Sequence, residues 1–228
     1  MTDTSPVPTE EDLDHVLQRS LELLRSLKSV LEDCEFDDSV RPFHVLATCD
    51  LAIEHGVSIC VLVESGNLAS ANVLLRTQFE AVARALWMSI CSEIDWFEIY
   101  SEQTRAAPLK LPKCLPAVDK ALMQLNQQAS HIAGQLLAIK AAAWDALNSF
   151  VHSGAVPAAM QQRGYMPNEA IGTVCNANGL TTMAFANMAM LAQDAARMKR
   201  LSELQLEFYD CLPPLIPYAA RTAPGPQI

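Results

Sequence analysis

Apolar side chains in this chain recur three and four residues apart over long stretches, and no run alternates apolar with polar for more than a few positions. A period near 3.6 gathers side chains on one face of a helix, whereas a half-buried strand needs a period of two. The spacing predicts an all-α fold, an up-and-down bundle of five to seven helices. With 228 residues, half of them hydrophobic and only 18% charged, the chain is long enough and apolar enough to bury a core without staples.

Helix boundaries follow from caps and breakers. Thr9 and Asp12 form a capping pair, after which Leu13, Val16, Leu17, Leu21, Leu24, Leu27 and Leu31 keep helical spacing up to the acidic turn Glu32 to Asp38. Ser39 caps a second helix, with Pro42 in its opening turn, which passes Leu46, Ile53, Val57 and Val61 and stops at Ser65-Gly66-Asn67. A third starts near Leu68, runs through Val73, Phe79, Val82, Leu86 and Ile90, and kinks before Trp96, Phe97 and Tyr100. Pro108 to Pro116 must be a loop. Two Ala- and Leu-rich helices, Val118 to Gln128 and Gly134 to Val151, end at Ser153-Gly154. A polar segment from Gly154 to Pro167 then precedes a last helical region, Glu169 to Tyr209, with Gly172 or Gly179 as its break. This divides the chain into a flexible N-terminus over 1–8, a bundle over 9–212 and a Pro-rich tail over 213–228.

Several function classes are disfavoured. The seven cysteines are scattered and form no C-x-x-C pair, so free thiols are expected and neither a disulfide framework nor a metal site. No cofactor motif is present: there is no glycine-rich phosphate loop, H-E-x-x-H or G-x-S-x-G. Met1 to Asp14 carries acids and prolines in place of a secretory signal, which predicts a cytoplasmic protein. The most apolar window, Val45 to Val63, contains Asp50, Glu54 and His55 and reads as a core helix, so no membrane partner is expected. A net charge of −10 opposes broad nucleic-acid binding, yet Thr104 to Arg163 is locally basic, with Arg105, Lys110, Lys113, Lys120, Lys140 and Arg163 against Asp119 and Asp145.

Two polar stripes interrupt apolar helices. Arg76, Glu80 and Arg84 lie at i, i+4 and i+8, so Glu80 can pair with both arginines. That pattern fits a solvated helix face, a buried network or an anion site. Trp144, Asn148 and His152 repeat the spacing, and the stop at Gly154 puts His152 at a helix C-terminus. There the negative end of the helix dipole favours a protonated imidazole and suits it to proton transfer, although a structural cap would use the same position. Two polar stripes in apolar helices are best satisfied by facing each other. His15, His44, His55 and His131 have no comparable polar company.

The segments L-L-R-T-Q-F-E-A-V-A-R-A-L-W (Leu74 to Trp87), W-D-A-L-N-S-F-V-H-S-G (Trp144 to Gly154) and Q-Q-R-G (Gln161 to Gly164) resemble a bacterial family of uncharacterised helical proteins. Its pattern is R-x-x-x-E-x-x-x-R followed by W-x-x-L-N-x-x-x-H-[ST]-G and Q-x-R, and the likeness spans roughly Ser65 to Asn187. That family is distantly similar to the HEPN superfamily of helical bundles, which includes toxins and abortive-infection ribonucleases that dimerise around an R-x(4–6)-H motif. The resemblance implies a homodimer and RNA or a nucleotide as ligand, with a neighbouring-gene protein as a further partner. It would make His152 and Asn148 catalytic in a metal-independent endoribonuclease without cofactor, and Arg76, Glu80, Arg84, Arg163 and Trp144 ligand-binding. Leu147 stands where that motif has its arginine, so another arginine would have to supply the phosphate contact. The competing class is a non-catalytic helical dimerisation or interaction module.

Overall fold

The computed structural model describes residues 7–36, 40–93 and 115–214. The expected Ser39 cap, the kink at Trp96 to Tyr100, most of the Pro108 to Pro116 loop, the first six residues and the tail from residue 215 lie outside the described residues. Within them every regular element is helical. In chain order these are α1 (Glu10–Leu31), α2 (Val40–Glu64), α3 (Leu68–Ile90), α4 (Val118–Gln128), α5 (Ser130–Val151), α6 (Ala155–Arg163), α7 (Pro167–Leu191) and α8 (Ala195–Glu207), closed by a 3-10 turn, Tyr209–Cys211. The eight α-helices among the described residues exceed the expected five to seven.

The extra helices have local causes. Gly154 to Pro167, expected to be irregular, contains α6, whose first turn is capped by the Ser149 hydroxyl accepting from the Val156 N–H at 3.2 Å. The long C-terminal region breaks at neither Gly172 nor Gly179. It breaks after Leu191, where Gln193 takes a φ of 53° and Asp194 accepts from the Ala196 and Arg197 N–H groups at 2.9 and 3.0 Å. A left-handed residue followed by an N-cap aspartate ends one helix and starts the next. The fifth helix also starts earlier than Gly134, at Ser130. At the other end of the chain, Thr9 and Asp12 form the expected capping box, with the Thr9 N–H donating to Asp12 Oδ2 at 2.7 Å.

Helices α3 and α7 are the hub. α3 packs on α2, α4, α5 and α7, while α7 also contacts α1, α2 and α8. The core includes Phe79, Leu75 and Val82 of α3, Val174, Ala177 and Leu180 of α7, and Leu122 and Leu136 from α4 and α5. Each such large side chain contributes roughly 1.5–3 kcal/mol on burial. α1 turns Leu13, Val16, Ser20, Leu23, Leu27 and Val30 inward, leaving Leu21 exposed. α2 buries Val45, Cys49, Ala52, Ile59 and Val63, while Phe43, Leu51, Val57 and Val61 remain exposed beside Asp50 and Glu54. By length and composition, residues 41–64 would suffice to cross a membrane.

A polar seam runs through the centre. Gln78, fully buried, donates from Nε2 to the Ala177 carbonyl at 3.1 Å and to Thr181 Oγ1 at 3.0 Å. Asn178 donates to Ser20 Oγ at 2.7 Å and to the Cys211 carbonyl at 2.8 Å, joining α7 to α1 and to the 3-10 turn. Gly56 lets α2 approach this seam, because a Cβ there would stand 2.3 Å from Thr181 Oγ1 and 2.8 Å from Gln78 Nε2.

Candidate functional site

The two polar stripes meet at the packing of α3 on α5. Arg76 Nε donates to Asn148 Oδ1 at 3.1 Å, and its guanidinium carbon lies 3.5 Å from the centroid of the Trp144 ring. A planar cation on an indole face gains from the ring quadrupole and still presents its edge to other partners. Phe79 packs edge to face against that indole, with centroids 5.4 Å apart, and Lys140 Nζ lies 5.0 Å from the indole centroid. Glu80 bridges the two arginines: Arg76 Nη1 donates to Oε1, and Arg84 Nη2 sits 2.8 Å from Oε2. The three side chains are 16%, 23% and 31% exposed. This is a half-buried, water-accessible network, intermediate between a solvated face and a sealed core pair.

Two donors are left over. Arg76 Nη2 makes no hydrogen bond among the described residues, and the buried Arg84 Nε has no partner there either. Net charge follows from the pairings, because one carboxylate, Glu80, serves two guanidinium groups while Lys140 is held by Asp119 at 3.0 Å. The stripe thus carries one uncompensated positive charge beside two unoccupied N–H donors.

At the end of α5 most residues of the W-D-A-L-N-S-F-V-H-S-G segment can be assigned a task, the exceptions being Asp145, Ala146, Val151 and His152, all exposed. Trp144 stacks under Arg76, Leu147 and Phe150 are buried, Asn148 receives Arg76, and Ser149 caps α6. The Gly154 N–H reaches the Ser149 carbonyl at 2.7 Å and the Ser153 N–H the Phe150 carbonyl at 3.3 Å, with Ser153 at a φ of 52°. Those paired bonds around a left-handed residue are the Schellman termination. A Cβ on Gly154 would fall 2.6 Å from Ser149 Oγ, so the stop needs glycine. Asp145 and His152 are exposed, and the His152 side chain makes no hydrogen bond or ion pair among the described residues. As expected it stands at the helix C-cap, where only its backbone N–H is engaged, with the Asn148 carbonyl at 3.1 Å.

Arg163 lies apart from this cluster in its bonding. It pairs with Glu169 at the α6–α7 junction and lines a cavity of about 440 Å3. The basic character of the middle of the chain is thereby reduced, since Lys140 and Arg163 are each paired, and Arg105, Lys110 and Lys113 lie outside the described residues. Sequence reasoning missed Gln78 and Asn72, polar residues buried on the same helix as the arginines. Their spacing of six residues matches no helical face, and that mismatch was the available signal.

Residues 49–214 match a family of unknown function, DUF6988, and this span contains all of both stripes and Arg163. No curated protein matches, and no solved structure matches.

Proposed function

The chain belongs to DUF6988, a family of unknown function, and we propose that within it this protein is a HEPN-like, homodimeric, cytoplasmic RNA-binding protein acting as a metal-independent endoribonuclease at the α3–α5 junction. One observation carries the reading. The Arg76–Asn148 hydrogen bond brings a guanidinium from α3 onto the helix face that ends in the exposed, unpartnered His152. That contact offsets the loss of the arginine whose place Leu147 takes. An RNA phosphate would accept from the open Nη2 edge of Arg76, with Arg84 adding charge. His152 would take the proton of the 2′-hydroxyl, whose oxygen then attacks the adjacent phosphorus. The arginines offset the charge that builds on the phosphorane, and the bond to the 5′-oxygen breaks as that oxygen takes a proton from solvent water, giving a 2′,3′-cyclic phosphate and a 5′-hydroxyl. The reading rests on Arg76 in place of Arg163, whose charge Glu169 already meets.

Incubating the purified protein with mixed RNA in the presence of chelator tests this. His152→Ala should abolish cleavage and leave RNA retention intact, while Arg76→Met should weaken retention and flatten its salt dependence. Identical RNA profiles for wild type and His152→Ala, with neither retarding RNA at low salt, would leave a second reading. In that reading the chain is a non-catalytic helical interaction module, and Arg76, held by Glu80, Asn148 and Trp144 together, joins α3 to α5.

A further inference from the structure

Helix α6 buries none of its residues. It hangs between the Ser153-Gly154 stop of α5 and Gly164, whose φ of 80° suits only a residue without a side chain. Three polar contacts tie it down: the Ser149 cap at its start, the Tyr165 hydroxyl donating to Gln161 Oε1 at 3.0 Å, and the Arg163–Glu169 pair at its end. Such a helix is weakly held and covers a cavity of about 440 Å3 bounded also by α3, α5 and α7, within the roughly 300–1,000 Å3 typical of small-molecule sites.

The lining defines the chemistry. Phe150, Val156 and Met160 give apolar walls, with an aromatic ring and a thioether suited to a flat aromatic guest. Asn72 and Thr173, both more than nine-tenths buried, supply the polar wall. The Thr173 hydroxyl is committed to the Glu169 carbonyl at 2.9 Å, and Asn72 Oδ1 has only the long 3.4 Å approach of that same hydroxyl. Asn72 Oδ1 is therefore a buried acceptor with bonding capacity left, well beyond the usual hydroxyl–oxygen distance. At the rim Arg163 and Glu169 cancel each other, so the site carries no net charge to attract an ion.

The geometry points to a binding site for a neutral, flat, two-ring aromatic molecule that donates one N–H or O–H to Asn72, with α6 as its hinged cover. This site shares no side chain with the Arg76–His152 cluster, so it stands or falls independently of RNA cleavage. Indole and N-methylindole, which lacks the N–H, are the probes, titrated calorimetrically into the full chain. Indole should bind saturably and about two- to tenfold tighter than N-methylindole, the range expected for one hydrogen bond. Asn72→Leu should remove that preference. Met160→Trp, which fills the cavity from a helix that buries nothing, should abolish binding of both probes, and Ala159→Phe provides the same block with a different side chain. Circular dichroism establishes that each variant is folded. No saturable binding to wild type, equal affinity for the two probes, or binding undiminished in both folded blocking variants would overturn the proposal.

Discussion

Replacing Gly56 by alanine sets two effects of opposite sign against each other. Alanine favours a helix over glycine by about 0.5–1 kcal/mol, so propensity alone predicts a gain. The new Cβ, however, would stand 2.3 Å from Thr181 Oγ1 and 2.8 Å from Gln78 Nε2. Threonine is stiff about χ1, and Gln78 is fully buried, so neither can swing into solvent. Overpacking of this kind costs about 1–3 kcal/mol, and pushing Gln78 from Thr181 forfeits a further hydrogen bond of about 1 kcal/mol. The net is a loss of about 1–3 kcal/mol, which in a chain of this size lowers Tm by about 2–12 °C. Gly172→Ala is the matched control, because it lies inside α7 with nothing within 4 Å of its Cβ and should stabilise by up to about 1 kcal/mol. Urea denaturation followed by far-ultraviolet circular dichroism measures both. If Gly56→Ala is neutral or stabilising, the close approach of α2 to the Gln78–Thr181 seam is wrong.

Three other outcomes follow from the contacts described. His152→Ala should change unfolding free energy by less than about 0.5 kcal/mol, because the side chain is exposed and unpartnered, whereas Asn148→Ala should cost about 1–3 kcal/mol by stripping Arg76 of an acceptor; similar losses in the two would show that His152 has a structural partner. Burial is the largest single influence on the Asp210 carboxyl and works to raise it, but the Arg19 hydrogen bonds, a backbone N–H bond, the Arg19 charge and the His15 bond together outweigh it and hold the group below its ordinary 3.8. A depressed carboxylate stabilises above its unfolded value and loses that contribution as pH falls through the folded one. Asp210→Asn should therefore be less stable than wild type near pH 7, with the gap closing below 3.8 in thermal melts across that window. Burial pushes the Cys49 and Cys211 thiols up to about 12, so an aromatic disulfide reagent at neutral pH should leave both unlabelled in the native protein and label them in denaturant, as read by mass spectrometry of peptides.

What could be read from the sequence was whatever depends on neighbours in the chain. The Thr9–Asp12 box, the stop at Ser153-Gly154 and the α3 start at Leu68 all arise within a few residues, and each appears where the local sequence predicts it. The meeting of the two stripes was legible too, because Arg76 and Asn148 each needed a polar partner in an apolar surrounding. Glycine misled: Gly172 and Gly179 sit inside α7, while the break falls at Gln193-Asp194, where a left-handed backbone and a capping carboxylate outweigh propensity. The inward face of α2 was not legible, because apolar residues fall on all sides of that helix and periodicity could not choose between Val57 or Val61, both exposed, and Ile59 or Val63, both buried. The polar seam was hidden for a related reason. Gln78, Thr181 and Asn178 find partners about a hundred residues or more away, and no local pattern encodes such pairs.

The placement of α1 fixes when it can dock. Its inward face meets α7, α8 and the 3-10 turn far more than it meets α2. Ser20 and its partner Asn178 are 158 residues apart, and Arg19 and Asp210 are 191 apart. During synthesis at about 5–20 residues per second, α1 therefore leaves the ribosome about 8–30 s before the first of these partners is made. For that interval Leu13, Val16, Leu23, Leu27 and Val30 form an uncovered apolar stripe on a nascent helix, the kind of surface that holdase chaperones bind. Maturation thus joins segments far apart in the chain, and a helix made well before its partners is among the last to find its place.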